Sequence, residues 1–138
     1  MAAQILWICG SAIYLLLSAL HLLYTFFSKK FLPKDRNTAE MMKQTHPLIS
    51  KELNMWDAWI GFNGSHSIGG IFFGAGNIIL AGLYFDFLKA AWPLLLLTIA
   101  CSLFYLFLAA KYWFKIPMRG IALATICYIA ASILILLQ

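Results

Sequence analysis

The amino-acid sequence predicts an all-α integral membrane protein: a left-handed four-helix bundle with a partly helical connector between its first two spans. Three observations predict it. The 138 residues are 63% hydrophobic and only 11% charged, where a soluble domain carries about 25% charged residues. Four apolar runs, residues 4–27, 58–83, 89–111 and 117–137, each reach the roughly 20 residues that a bilayer core demands. Their charged residues lie at the ends, and the polar residues between fall on lines of helical spacing. A helix satisfies its own backbone hydrogen bonds, which hydrocarbon requires. The length predicts a single transmembrane domain, residues 1–138.

The first run lacks a basic leader and is longer than a signal h-region, so it reads as a retained span. Its polar side chains, Gln4, Trp7, Ser11, Tyr14, Ser18, His21, Thr25 and Ser28, recur in alternating steps of three and four. That is the seam of a helix in a left-handed bundle. The connector that follows, from Ser28 to Asp57, is long for a structureless loop. Asn37 and Glu40 are spaced as a capping box, which predicts a short helix ended by Pro47. Ser50 is placed to start the next helix. Met41, Met42, Leu48, Leu53 and Trp56 predict that the connector lies on the bundle or at the membrane interface.

The second span repeats the seam with Trp56, Trp59, Asn63, His66, Gly70, Phe73 and Asn77. Gly61, Ser65 and Gly69 form a small-residue line that predicts close helix packing, as do Gly70 and Gly74. The third span offers Thr98, Ser102, Tyr105 and Tyr112, and the fourth Thr125, Tyr128 and Ser132. Trp7, Trp56, Trp59, Trp92 and Trp113 fall near span ends, the ordinary place of an interface anchor.

Charge predicts the orientation. The first connector carries Lys29, Lys30, Lys34, Arg36, Lys43 and Lys51, and the third carries Lys111, Lys115 and Arg119. The other side has only Lys89. The positive-inside rule then puts both basic connectors in the cytoplasm and both termini outside it, in a multi-pass protein of the inner (cytoplasmic) membrane. Basic residues spread over linkers beside a membrane point to anionic headgroups rather than nucleic acid. Cys9, Cys101 and Cys127 lie within spans and form no C-x-x-C, so they read as small apolar groups.

At 1.5 Å per residue, His21 and His66 lie ~9 and ~12 Å from the basic ends of their spans, and Tyr105 and Tyr128 reach ~9 and ~16 Å in. A shared polar layer follows, since amides, hydroxyls and imidazoles in hydrocarbon need partners. His21 and His66 are expected to face the interior and approach one another. A purely structural hydrogen-bond network accounts for such a layer. So does a ligand site, the default for ionisable groups within a span. The candidate ligand-binding residues are His21, Trp59, Asn63, His66, Tyr105 and Tyr128. The ligand expected is apolar or amphipathic, a lipid, quinone or similar molecule. Alternatives are a membrane-embedded enzyme using His66 as acid or base, and an accessory subunit of a homo-oligomer or larger complex. Haem held by His21 and His66 is a lesser one. Two histidines do not make a zinc site, because His46 is outside the spans.

The run Trp56-Asp57-Ala58-Trp59-Ile60-Gly61-Phe62-Asn63-Gly64-Ser65-His66-Ser67-Ile68-Gly69 resembles the W-x-x-W-x-G-F-N-x-S-H-S-x-G segment of an uncharacterised family of small four-helix bacterial membrane proteins. His21 followed by the aromatic-rich Tyr24-Thr25-Phe26-Phe27 is similar to that family too. The resemblance covers roughly the first half of the chain. It implies the four-helix fold and singles out this segment, and it brings no activity. Asn63-Gly64-Ser65 fits a glycosylation sequon but lies within a span, and the glycines do not match G-x-G-x-x-G.

Overall fold

The computed structural model describes residues 1–137. Six helices follow in order: α1 (Ala2–Phe27), α2 (Arg36–Gln44), α3 (Met55–Leu83), α4 (Phe85–Ala90), α5 (Trp92–Tyr112) and α6 (Lys115–Leu136). No strand occurs among the described residues. The chain is all-α, and α1, α3, α5 and α6 are long and apolar enough to cross a membrane. Phe72, Leu97, Phe104 and Ile126 are exposed along these helices. Large side chains of this kind suit lipid and not water. The chain is therefore a multi-pass membrane protein.

Where the helices start and stop departs from the sequence reading in three places. The cap of α2 is Asp35, two residues before the expected Asn37. Its carboxylate accepts from the backbone N–H of Asn37 at 3.2 Å and of Thr38 at 3.1 Å, satisfying donors that a first turn leaves orphaned. Glu40 pairs instead with Lys43. Helix α3 begins at Met55 and not at Ser50. Asn54 accepts from the Asp57 N–H at 2.8 Å, and its amide donates back to the Asp57 carboxylate at 2.9 Å. The third departure is α4, a six-residue helix between the second and third spans. Tyr84 and Ala91 leave helical geometry on either side of it. Pro93 in the first turn of α5 has no N–H to offer a preceding turn, so it favours a fresh start there. Lys89 thus belongs to α4, where it pairs with Asp86 at 2.7 Å and holds that carboxyl below its ordinary range.

The chain divides into two compact units. One comprises Met1–Leu17 with Gly70–Gln138, the other Ser18–Gly69. The first unit holds the apolar core, where Trp7, Tyr14, Leu88, Leu95, Ile121, Ala124 and Tyr128 are buried. Glycine permits one close helix approach there. A Cβ on Gly74 would stand 2.6 Å from the Leu15 backbone nitrogen and 2.8 Å from the Ser11 carbonyl oxygen. The other proposed glycine line behaves differently: a Cβ on Gly61 or Gly69 would meet nothing within 4 Å.

The polar seam runs inward through this unit. Trp7 is fully buried, not an interface anchor, and its indole N–H donates to Asn77 Oδ1 at 3.0 Å. Asn77 in turn donates to the Phe73 carbonyl. A hydroxyl chain crosses three helices. Thr125 donates to the Ile121 carbonyl at 2.8 Å, so its one hydrogen is used. Ser102, 2.8 Å from Thr125, must then donate to it, and Tyr14, 2.9 Å from Ser102, must donate to Ser102. The same logic orders Tyr128 to Ser11 at 3.0 Å and Ser11 to the Trp7 carbonyl at 2.7 Å. Each hydroxyl has one hydrogen to give and lone pairs to receive.

Candidate functional site

The second unit assembles its site from the C-terminal half of α1 and the N-terminal half of α3. Helical spacing puts Asn63 one turn after Trp59, so its amide donates to the Trp59 carbonyl at 2.8 Å. That bond fixes the amide's orientation and leaves Oδ1 as the group facing His21, 2.9 Å from Nε2. Oδ1 can only accept. His21 must therefore carry a hydrogen on Nε2, and its neutral form offers Nδ1 as an acceptor. Ser67 and Thr25 donate to the carbonyls of Asn63 and His21, at 2.7 and 2.8 Å. Both hydroxyls are thus satisfied by their own helices.

Rings surround the His21 imidazole. His66 meets it edge-on, with centroids 5.6 Å apart, and Phe31 packs on it at 4.5 Å. Phe62 stacks with His66 at 6.0 Å. Both imidazoles are half-buried and Asn63 is buried. Gly64 allows Phe26 to lie against α3, since a Cβ there would stand 3.1 Å from the Phe26 ring. Beside the cluster is a cleft of about 320 Å³ lined by Lys30, Phe31, Leu32, Pro33, Met42 and Trp59. The Lys30 ammonium lies 3.8 Å from the centre of the Tyr24 ring, a cation–π contact.

Of the six residues proposed from sequence, His21, Asn63 and His66 come together, and Trp59 joins them through its carbonyl and the cleft wall. Tyr105 and Tyr128 belong to the other unit. Tyr105 lies 5.6 Å from Tyr14, and Tyr128 is buried against Trp7 at 5.0 Å. Sequence reasoning missed Phe31, Lys30 and Met42. The signal was an aromatic residue directly after Lys29-Lys30, in a segment that reads as a linker.

Among the described residues, no three His, Cys, Asp or Glu side chains converge as metal ligands. An iron bound by both imidazoles through Nε2 would have to displace the His21–Asn63 bond. A second cleft, of about 380 Å³, lies in the first unit between Trp92, Leu95, Leu96 and Ile99 of α5 and Ile129, Ser132, Ile133 and Leu136 of α6. Among the described residues the Ser132 hydroxyl there is buried and has no hydrogen-bond partner. No family model matches the chain, nor does any curated protein or solved structure.

Proposed function

We propose that the chain is a small membrane module that binds an amphipathic ligand, a lipid, quinone or similar molecule, at the His21–Asn63–His66 cluster. One observation carries this reading: Phe31 is at once a wall of the cleft and the ring packed on His21. An apolar tail lies along Phe31, Leu32, Pro33, Met42 and Trp59. The polar end meets Lys30 or the free acceptor of His21. Apolar walls with a few convergent polar groups are what such a ligand needs. The basic connectors lie on the cytoplasmic side in this reading, with both termini outside. The test is a lipid extract and a visible absorption spectrum of protein purified in mild detergent, from wild type and from His66→Ala. A small molecule recovered from wild type and depleted in the variant is the expected result. Equal recovery from both overturns the site.

A second reading is acid–base chemistry on a membrane-embedded substrate, with His66 as the proton carrier. The observation in its favour is that His66 is edge-on to a second imidazole within the same cluster. Turnover of a lipid panel by wild type, lost in His66→Ala, distinguishes it from binding alone.

A further inference from the structure

The connector carries an apolar tip that the chain leaves bare. Leu48 and Ile49 are 109% and 92% exposed, as open as in an extended peptide. They sit in a turn closed by the Ser50 N–H donating to the Pro47 carbonyl at 3.3 Å. The root of this loop is clasped. The Met55 N–H donates to the Thr45 carbonyl at 2.9 Å, and His46 Nδ1 donates to the Leu53 carbonyl at 2.9 Å. The clasp ties the loop to Met55, the first residue of α3, and α3 is a candidate span. A tip four residues from that root reaches no farther than ~14 Å from it. Leu48 and Ile49 are thus confined to the neighbourhood of a membrane boundary.

Charge names the surface they meet. From Lys29 to Asp57 the connector has six basic residues, Lys29, Lys30, Lys34, Arg36, Lys43 and Lys51. Four acidic residues, Asp35, Glu40, Glu52 and Asp57, leave a net charge of +2 (6 − 4). Three of those acids are already committed: Asp35 caps α2, Glu40 pairs with Lys43, and Asp57 binds Asn54. Among the described residues, Lys29, Lys30, Lys34, Arg36 and Lys51 form no ion pair. Two adjacent branched apolar side chains on a connector of net positive charge, with Lys51 two residues from Ile49, match an anionic bilayer interface. The chains enter the acyl boundary and the cations meet phosphates.

We propose that the Leu48–Ile49 tip is a membrane-dipping anchor that seats in the anionic leaflet beneath the connector, with Lys51 on a headgroup phosphate. The full chain tests it in lipid nanodiscs, of phosphatidylcholine alone or with 30% phosphatidylglycerol. Ile49→Cys is labelled with an environment-sensitive fluorophore, and identically labelled wild type supplies the background from Cys9, Cys101 and Cys127. The exposed position makes the substitution neutral to folding, which an unchanged thermal midpoint checks. Blue-shifted emission, quenched by spin-labelled lipid and at least twofold stronger with phosphatidylglycerol, is expected. Lys51→Glu should reduce that gain. Water-like emission in both discs overturns the anchor, and equal burial in both overturns the anionic headgroup. Burial that appears only as protein per disc rises assigns the tip to a second copy instead, which also overturns the proposal.

Discussion

His21 and Asn63 are joined by a 2.9 Å hydrogen bond whose direction is fixed, because Asn63 turns its amide nitrogen to the Trp59 carbonyl and presents to His21 an oxygen that can only accept. The imidazole is the donor, and its hydrogen is on Nε2.

That tautomer is directly observable. Nitrogen NMR of selectively labelled histidine should show Nε2 protonated for His21 in the wild type. Asn63→Leu removes the acceptor, and should release the tautomer and lower stability by about 1–3 kcal/mol. A wild-type spectrum with the hydrogen on Nδ1 would refute the assignment.

Glycines of the same helix should respond oppositely. Gly74→Ala forces a methyl against the α1 backbone at 2.6 Å, where no side chain can swing aside, and should cost about 1–3 kcal/mol. Gly69→Ala meets open space and should be neutral or stabilising by up to ~1 kcal/mol through helix propensity. Thermal unfolding in detergent compares the two, and equal losses would contradict the packing.

The two buried serines should also part ways. Ser102→Ala strands the Tyr14 hydroxyl and should cost about 1–3 kcal/mol. Ser132→Ala deletes a hydroxyl that has no partner and should change stability by no more than ~0.5 kcal/mol. A loss at Ser132 as large as at Ser102 would mean that its hydroxyl is bonded.

Acid should loosen the first turn of α2. Hydrogen bonds from Thr38 and Asn37 hold the Asp35 carboxyl below its ordinary 3.8. A depressed folded-state pKa gives stability that is present above the unfolded value. It is lost as pH falls through the folded value, so the change lies below about pH 4. Amide shifts of Asn37 and Thr38 should move in that window. Asp35→Asn keeps a cap and should abolish the pH dependence, and an unchanged titration in the variant would exclude Asp35 as its source.

The orientation is tested by a cytoplasm-active reporter fused after Gln138. Nine basic residues on one side against one on the other predict an inactive fusion. Activity would reverse the topology.

The seam of α1 was legible because a span offers few polar residues: with leucine and isoleucine elsewhere, eight polar or amphipathic positions at helical spacing admit one inward face. None of the eight is exposed. The His21–His66 approach was legible for the same reason, through matched depth on two seams. The cleft was not. Phe31 and Met42 are placed by the path of an irregular connector, and no periodicity encodes that path. The glycine line Gly61–Ser65–Gly69 misled because small residues at steps of four mark close packing only where a second helix is present. Trp7 misled because a tryptophan near a span end is equally suited to an interface and to a core that offers Asn77 as acceptor.

The ordered hydroxyls of the first unit run one way and stop at a backbone carbonyl. A relay wire takes a proton at one end, passes it by turning each hydroxyl, and gives it up at the other. From Tyr14 through Ser102 to Thr125 every hydrogen points the same way, and the last rests on the Ile121 carbonyl, a group with no proton to hand on. The line is a dead end. It satisfies the hydroxyls of three helices inside the apolar interior, each by the next and the last by backbone.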